Sequence, residues 1–316
     1  MSREMKKDFL STTAGVLSGA VVANLLWGSA SPCIKLGYQM FQVAAEDTMS
    51  QILFAGTRFF IAGILTIIMG SFLKRHLLIP KHGSIGMIIT LALLQTVIQY
   101  TFFYIGLSNA PGFKGSITSP TSTFFAILIS ALIFHQETLT WKKICGCLIG
   151  FAGVVLINLG SGSAAGFQLN GEGFLIMAAA SYGCSSVFIK RYSEREDPVV
   201  LSGYQFALGG AAMTLVAFLA GGRLHAVSGA AWLMMLYLGM LSAVAYTIWS
   251  LLLQRHPVSR ITVYAFLNPV FGVVLSALLL GEGKILNIPR CILAMLFVCA
   301  GVWMVNRPEK AFSQSY

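Results

Sequence analysis

The side chains of this sequence that can hold a solute by hydrogen bonds stand at helical intervals inside apolar runs. Gln95 and Gln99 are four apart, with Tyr100 and Tyr104 on the neighbouring stripe. Ser116, Ser119 and Thr123 follow at intervals of three and four, and Ser242, Tyr246 and Trp249 at four and three. Asn24 and Trp27 lie one turn apart. Residues three or four apart share one helix face, so each group makes a polar or aromatic patch on a single helix. Tyr264 and Asn268, again four apart, come just before Pro269. An amide beside a proline-freed carbonyl offers several hydrogen-bonding groups at once. Amides, hydroxyls and aromatic rings of this kind bind and release; they do not break bonds.

Bond-breaking chemistry lacks its groups. An intramembrane enzyme needs a nucleophile with its base or a set of metal ligands, and no HExxH or comparable His/Asp group occurs. The five histidines (His76, His82, His135, His225, His256) fall in loops or at helix ends. The six cysteines sit inside apolar runs without metal-ligand spacing and read as small buried hydrophobes. No cofactor and no metal are expected. No Asp, Glu or His falls mid-span, where a proton relay normally places such groups. Proton coupling is therefore expected to be indirect, or absent in a facilitator.

Each binding patch has a competing structural use. Glutamines can bond helix to helix, hydroxyls can satisfy their own backbone, and Asn268 can repair the kink at Pro269. A tryptophan can anchor at a membrane interface, although residue 27 is mid-helix. Arg58 is the one charge well inside a span. Its shallow expected depth favours pairing with Glu46 or Asp47, or reaching the outer interface, over meeting an anionic substrate. Glu137 and Glu282, at the ends of their helices, read as solvated or as staples within the bundle.

The elements that carry these patches must be membrane helices. The chain is 56% hydrophobic with only 10% charged residues and a mean hydropathy of +0.78, against about 25% charged in soluble domains. Its apolar runs are continuous rather than alternating, which excludes a barrel. At about 20 residues per crossing, ten helices are expected, near 12–38, 50–73, 86–109, 113–134, 142–159, 172–190, 199–221, 230–252, 260–280 and 288–306. The basic N-terminal segment leads into a run too long for a signal peptide and is read as part of a retained first helix. Of the 21 lysines and arginines, 15 fall on the side of the N-terminus, while Lys35, Lys114, Arg223, Lys284 and Arg290 fall on the other. Such residues gather in cytoplasmic loops, which puts both termini of this multi-pass protein in the cytoplasm, in a cell inner membrane. The net charge of +10 thus reflects topology, and no nucleic acid is expected as a partner. The expected partners are a small-molecule substrate and membrane lipid. Glycine ridges (Gly146, Gly150, Gly153; Gly209, Gly210) suit packing within the chain better than a dimer face, and both monomer and homodimer stay open.

The two halves echo each other. Trp27-Gly28 precedes Lys35 as Tyr182-Gly183 precedes Lys190, which adds Tyr182 to the candidate site. AGVVLIN (152–158) matches AGVWMVN (300–306), Pro111 matches Pro257, and Glu137 matches Glu282. The organisation is read as a first repeat over 1–159, a Gly/Ser/Ala-rich linker over 160–171 and a second repeat over 172–316. An odd number of spans per repeat inverts the second copy, a recurring transporter architecture with its substrate site at the repeat interface. With Arg58-Phe59, Tyr204-Gln205, Asn268-Pro269 and Gly281-Glu282, these motifs cover nearly the whole chain. It resembles the ten-helix EamA-type permeases of the drug/metabolite transporter superfamily. The resemblance implies two inverted five-helix bundles, alternating access and transport, usually export, of small metabolites. The chain departs from the family pattern at Phe124, where a proline is expected; Pro120 lies one turn earlier. The kink in helix 4 is therefore expected to be displaced, and Tyr264 and Asn268 to matter more than Ser119 and Thr123. The walls suit a neutral or zwitterionic solute such as an amino acid. An intramembrane enzyme and a channel-like facilitator are the competing classes.

Overall fold

A computed structural model of the chain describes residues 12–135, 139–158, 167–255, 264, 267–284 and 287–306. All regular structure among them is helical. The helices are α1 (Thr13–Met40), α2 (Thr48–Lys74), α3 (Ile85–Asn109), α4 (Gly112–Leu132), α5 (Trp141–Asn158), α6 (Leu169–Tyr192), α7 (Pro198–Leu219), α8 (Gly229–Arg255), α9 (Leu267–Leu279) and α10 (Ile288–Asn306). Eight are long and apolar enough to cross a membrane, and α9 adds a shorter apolar helix.

Local chemistry sets the helix ends. Thr12 accepts from Gly15 N at 3.0 Å to start α1, and Asp47 accepts from Ser50 N at 3.0 Å to start α2. Asp197 accepts from Val199 N at 2.8 Å, with Pro198 in the first turn of α7. These side chains satisfy amides that have no partner within the helix. Two helices depart from α geometry. α3 contains a π segment, Ala92–Ile98, and α4 contains a 3-10 turn, Ser119–Thr121, at Pro120. The break in α4 thus sits at Pro120, while Phe124 is fully buried against Gly150 and the ring of Phe151. α6 begins at Leu169 with a π turn, so residues 169–171 are helical rather than linker. The expectations for Glu137, His256, Pro257 and linker residues 160–166 lie outside the described residues.

Helix pairing follows a two-fold pattern. α1 packs on α8 and α9, and α6 packs on α3 and α4. α2 meets α8 as α7 meets α3, and the pairs α2–α7, α4–α9 and α5–α10 each join equivalent helices. Exchanging the first five helices with the last five leaves the pairing unchanged. With five helices in each set, one set is inverted relative to the other, and every main interface joins the two sets or copies its counterpart.

Lipid supplies no hydrophobic drive between helices, so close packing must hold them. Small residues provide it. A Cβ on Gly63 of α2 would lie 2.7 Å from Gly203 O of α7, and one on Gly210 would lie 2.8 Å from Gly56 O. The ridge on α5 behaves likewise, with Gly146 against Gly301 and Val305 of α10, and Gly153 against Ala294 and Val298. The glycine ridges thus pack within the chain.

Two faces of the bundle differ in charge. At the face where α1 begins and α2 ends, hereafter the basic face, Lys74 pairs with Asp197. There Glu196 accepts from Lys81 N at 2.8 Å and from Ser84 Oγ at 2.6 Å. At the opposite face Glu282 accepts from Gly112 N at 2.8 Å and Phe113 N at 3.2 Å, capping α4 from beyond the end of α9. The staple expected of Glu282 is a helix cap joining the two halves.

Candidate functional site

Where α1, α3, α4, α6, α8 and α9 meet, they and Arg58 of α2 line a cavity of about 310 Å³. Asn24 and Trp27 of α1 line it, with Gln99 and Tyr100 of α3, Ser119 and Thr123 of α4, and Tyr182 of α6. Tyr246 and Trp249 of α8 and Asn268 of α9 complete the polar and aromatic walls. Both halves of the chain therefore contribute, and the helical spacing of the sequence carries over to these helices.

The Trp-Gly and Tyr-Gly pairs acquire a physical meaning. Trp27 faces the cavity while the next residue, Gly28, lies where α1 crosses α9; a Cβ there would lie 3.0 Å from Asn268 O and 2.7 Å from Phe271 Cβ. Tyr182 faces the same cavity, and a Cβ on Gly183 would lie 2.7 Å from both Ser122 O and Phe125 Cβ of α4. The aromatic supplies wall and the glycine supplies closeness, once in each half. Trp27 meets Tyr246 and Trp249 edge-on, at centroid distances of 5.5 and 5.2 Å.

Two candidates fall outside the walls. Gln95 is fully buried; its Oε1 accepts from Gln205 Nε2 at 2.7 Å, and its Nε2 donates to Tyr246 Oη at 3.4 Å. It links α3 to α7 and α8, the helix-to-helix use of a buried amide. The π segment explains the split from Gln99, because i→i+5 turns change the rotation between residues four apart. Tyr264 packs against the buried cluster of Val16, Ala20 and Leu252. It is not among the residues that line the cavity. Asn268 of α9 lines the cavity together with Ser116, Ser119, Ser122 and Thr123 of α4.

Arg58 corrects the sequence reading. It pairs with neither Glu46 nor Asp47 and does not reach the surface, being only 3% exposed. Its Nε donates to Leu238 O at 3.1 Å, Nη1 to Tyr104 Oη at 2.5 Å and Nη2 to Ser242 Oγ at 3.0 Å. The guanidinium carbon lies 4.8 Å from the Phe59 ring centroid, and the side chain lines the cavity. Partners from α3 and α8 hold it there, and nothing in the residues around position 58 announces them. Two lysines make contacts with residues remote in sequence. Lys114 is buried and paired with Glu172 at 2.5 Å, and Glu172 also accepts from Gln168 N at 3.0 Å. Lys35 donates to Ala110 O at 2.6 Å and lies 3.9 Å from Glu282.

A second space of about 300 Å³ lies toward the face opposite the basic one, lined by Lys35, Tyr38, Gln42 and Ser108 among others. Tyr38, from its wall, donates to Tyr104 O at 3.0 Å, and the Tyr104 hydroxyl accepts from Arg58 in the central wall. Tyr38, Phe54 and Tyr104 pack as one buried aromatic group between the two spaces. The central cavity offers aromatic faces, amide and hydroxyl groups and one guanidinium. No carboxylate and no histidine line it among the described residues, and no group of three or more His, Cys, Asp or Glu gathers there or elsewhere among them.

Comparison with known proteins agrees with this architecture. The model of the EamA-like transporter family matches the chain twice, over residues 14–159 and 169–307. An uncharacterised transporter of Bacillus subtilis, YoaV, is 23% identical over 300 residues, covering 92% of this chain and 96% of that one. A probable amino-acid metabolite efflux pump of Escherichia coli is 25% identical over 286 residues, covering 86% of this chain and 89% of its own. A solved crystal structure shares the fold with a TM-score of 0.60 at 20% identity, covering 93% of this chain and 96% of that chain. Two matched copies, ten helices and a cavity between the halves lead to one conclusion: the chain belongs to the EamA-like transporter family.

Proposed function

We propose that this transporter is a secondary carrier that exports a small organic metabolite of amino-acid type across the cell inner membrane, with both termini in the cytoplasm. The observation that carries the reading is the central cavity, walled by equivalent helices of both halves and separated from a second space by a buried aromatic group. A site at the repeat interface with a barrier on one side suits alternating access, in which the halves rock about the bound solute. The Lys114–Glu172 pair and the Glu282 cap on α4 hold the face opposite the basic one together. The likeness to amino-acid metabolite efflux pumps supports both the substrate class and the direction.

The carrier acts without a proton relay of its own, because the cavity walls carry no carboxylate or histidine among the described residues. Net movement then follows the solute gradient. Purified protein in liposomes tests this. Saturable counterflow of radiolabelled amino acids is expected, with no accumulation driven by a pH step alone. Single-channel currents would make the protein a pore, and pH-driven accumulation against the gradient would make it a proton-coupled carrier.

A further inference from the structure

We propose that Arg58 anchors the carboxylate of the transported solute, with the solute's ammonium group on the side-chain oxygens of Asn24 and Gln99, so that the cavity selects an α-amino-acid zwitterion. The inference rests on the carrier reading above and names the chemistry of the same cavity.

The first ground is charge. Burying an ionised group is expensive unless another charge answers it, yet every protein partner of the Arg58 guanidinium is neutral: a carbonyl, two hydroxyls and an aromatic face. No described carboxylate lies within ion-pair distance of Arg58, and most have partners of their own. Glu172 is on Lys114, Glu282 is on the α4 amides, Asp47 caps α2, and Asp197 and Glu196 bind at the basic face. The cavity thus holds a fixed positive charge without a counter-ion among the described residues.

The second ground is unused donors. A guanidinium carries five N–H groups, and the three hydrogen bonds use one on each nitrogen. One N–H remains on each terminal nitrogen without a protein acceptor. Two donors on one planar group match the two oxygens of a carboxylate. Tyr104, Ser242 and Leu238 meanwhile fix the plane, so little ordering is left for binding to impose.

The third ground is unused acceptors in the same walls. Asn24 Oδ1 and Gln99 Oε1 are both buried and without a partner. Asn24 is fully buried, and its Nδ2 is tied to Ala20 O at 2.8 Å. An ammonium group would supply these oxygens with hydrogens. A solute with an anion at one end and donors at the other satisfies all three features, whereas a plain cation would meet Arg58 repulsively. The volume of about 310 Å³ lies at the small end of ligand sites, roughly 300–1,000 Å³, as suits one amino acid.

The test uses the full-length protein in proteoliposomes and a panel of the proteinogenic L-amino acids. The amino acid with the fastest counterflow is then offered as its C-terminal amide, as its des-amino acid and unmodified. A charge-assisted hydrogen-bonded contact at this site predicts that the amide competes about tenfold or more weakly than the parent. The des-amino acid, which keeps its carboxylate, should compete better than the amide. Arg58→Lys should raise KM by a similar factor while keeping this order, and Arg58→Gln should abolish the preference for acid over amide. Because Arg58→Gln can fail to fold, the ligand series on the unaltered protein decides alone. An amide that competes as well as its parent overturns the inference and leaves the carrier reading standing. A panel without counterflow for any amino acid overturns both.

Discussion

The buried ion pair between Lys114 and Glu172 gives a prediction that can be worked through. The lysine, at the start of α4, and the glutamate, at the start of α6, join the two halves, with side chains only 3% and 5% exposed. Glu172→Gln keeps an acceptor for Gln168 N but leaves the Lys114 ammonium in low-dielectric surroundings without its opposite charge. Breaking such a pair from one side costs about 3–5 kcal/mol. Lys114→Met leaves Glu172 ionised and buried, with a cost of the same order. Replacing both, as Lys114→Met with Glu172→Gln, removes both buried charges and keeps the Gln168 contact, so the double variant should lie within about 1–2 kcal/mol of the parent. The coupling across the cycle is then several kcal/mol, well above the roughly 0.3–0.5 kcal/mol scatter of independent sites. At this chain length 1 kcal/mol corresponds to about 2 °C. Each single variant should therefore melt roughly 6–10 °C lower, and the double variant close to the parent. The assay is thermal unfolding in detergent, followed with a thiol-reactive fluorophore. It is well suited because none of the six cysteines is in a disulfide and none is exposed. A double variant that melts at the sum of the two single shifts would refute the pairing.

Three further outcomes follow from the packing and the polar network. Gly28→Val and Gly183→Val force atoms into the α1–α9 and α6–α4 crossings, where even a Cβ would lie 2.7 Å from a neighbour. Overpacking at each should cost about 1–3 kcal/mol or more, read as a lower melting temperature or as loss of the monodisperse peak in size-exclusion chromatography; parent-like behaviour of both would contradict the crossing. Phe124→Ala empties a fully buried site between Gly150 and Phe151 and should lower stability by about 3–5 kcal/mol, measured as a melting shift with KM unchanged. Gln95→Leu and Gln99→Leu should separate: the first breaks the bond to Gln205 and lowers the melting temperature, while the second alters the cavity wall and raises KM several-fold with little change in stability. The reverse pairing of effects would show that the two glutamines have been assigned the wrong roles.

The helices and most of the cavity wall were legible because both rest on local rules. A run of about 20 apolar residues demands a spanning helix, and residues three or four apart share its face. Asn24 with Trp27, and Tyr246 with Trp249, therefore reach the cavity together. Those rules break where the helix does. The π segment of α3 separates Gln95 from Gln99. The charged groups were the least legible, because their partners are remote in sequence. Arg58 bonds to Ser242 across 184 positions and Lys114 to Glu172 across 58, so neither burial nor pairing follows from the surrounding residues.

The glycine contact between α2 and α7 has a mechanical consequence. The two helices are equivalent under the exchange of halves, and they touch backbone to backbone at Gly56, Gly63, Gly203 and Gly210. A pair of this kind straddles the two-fold axis that relates the halves, as α4–α9 and α5–α10 also do. With no side chain between the two backbones, any larger residue at these glycines must push the halves apart. Arg58 is mounted on α2, two residues from Gly56. The guanidinium of the cavity is thus mounted on a helix whose backbone is clamped directly to the other half.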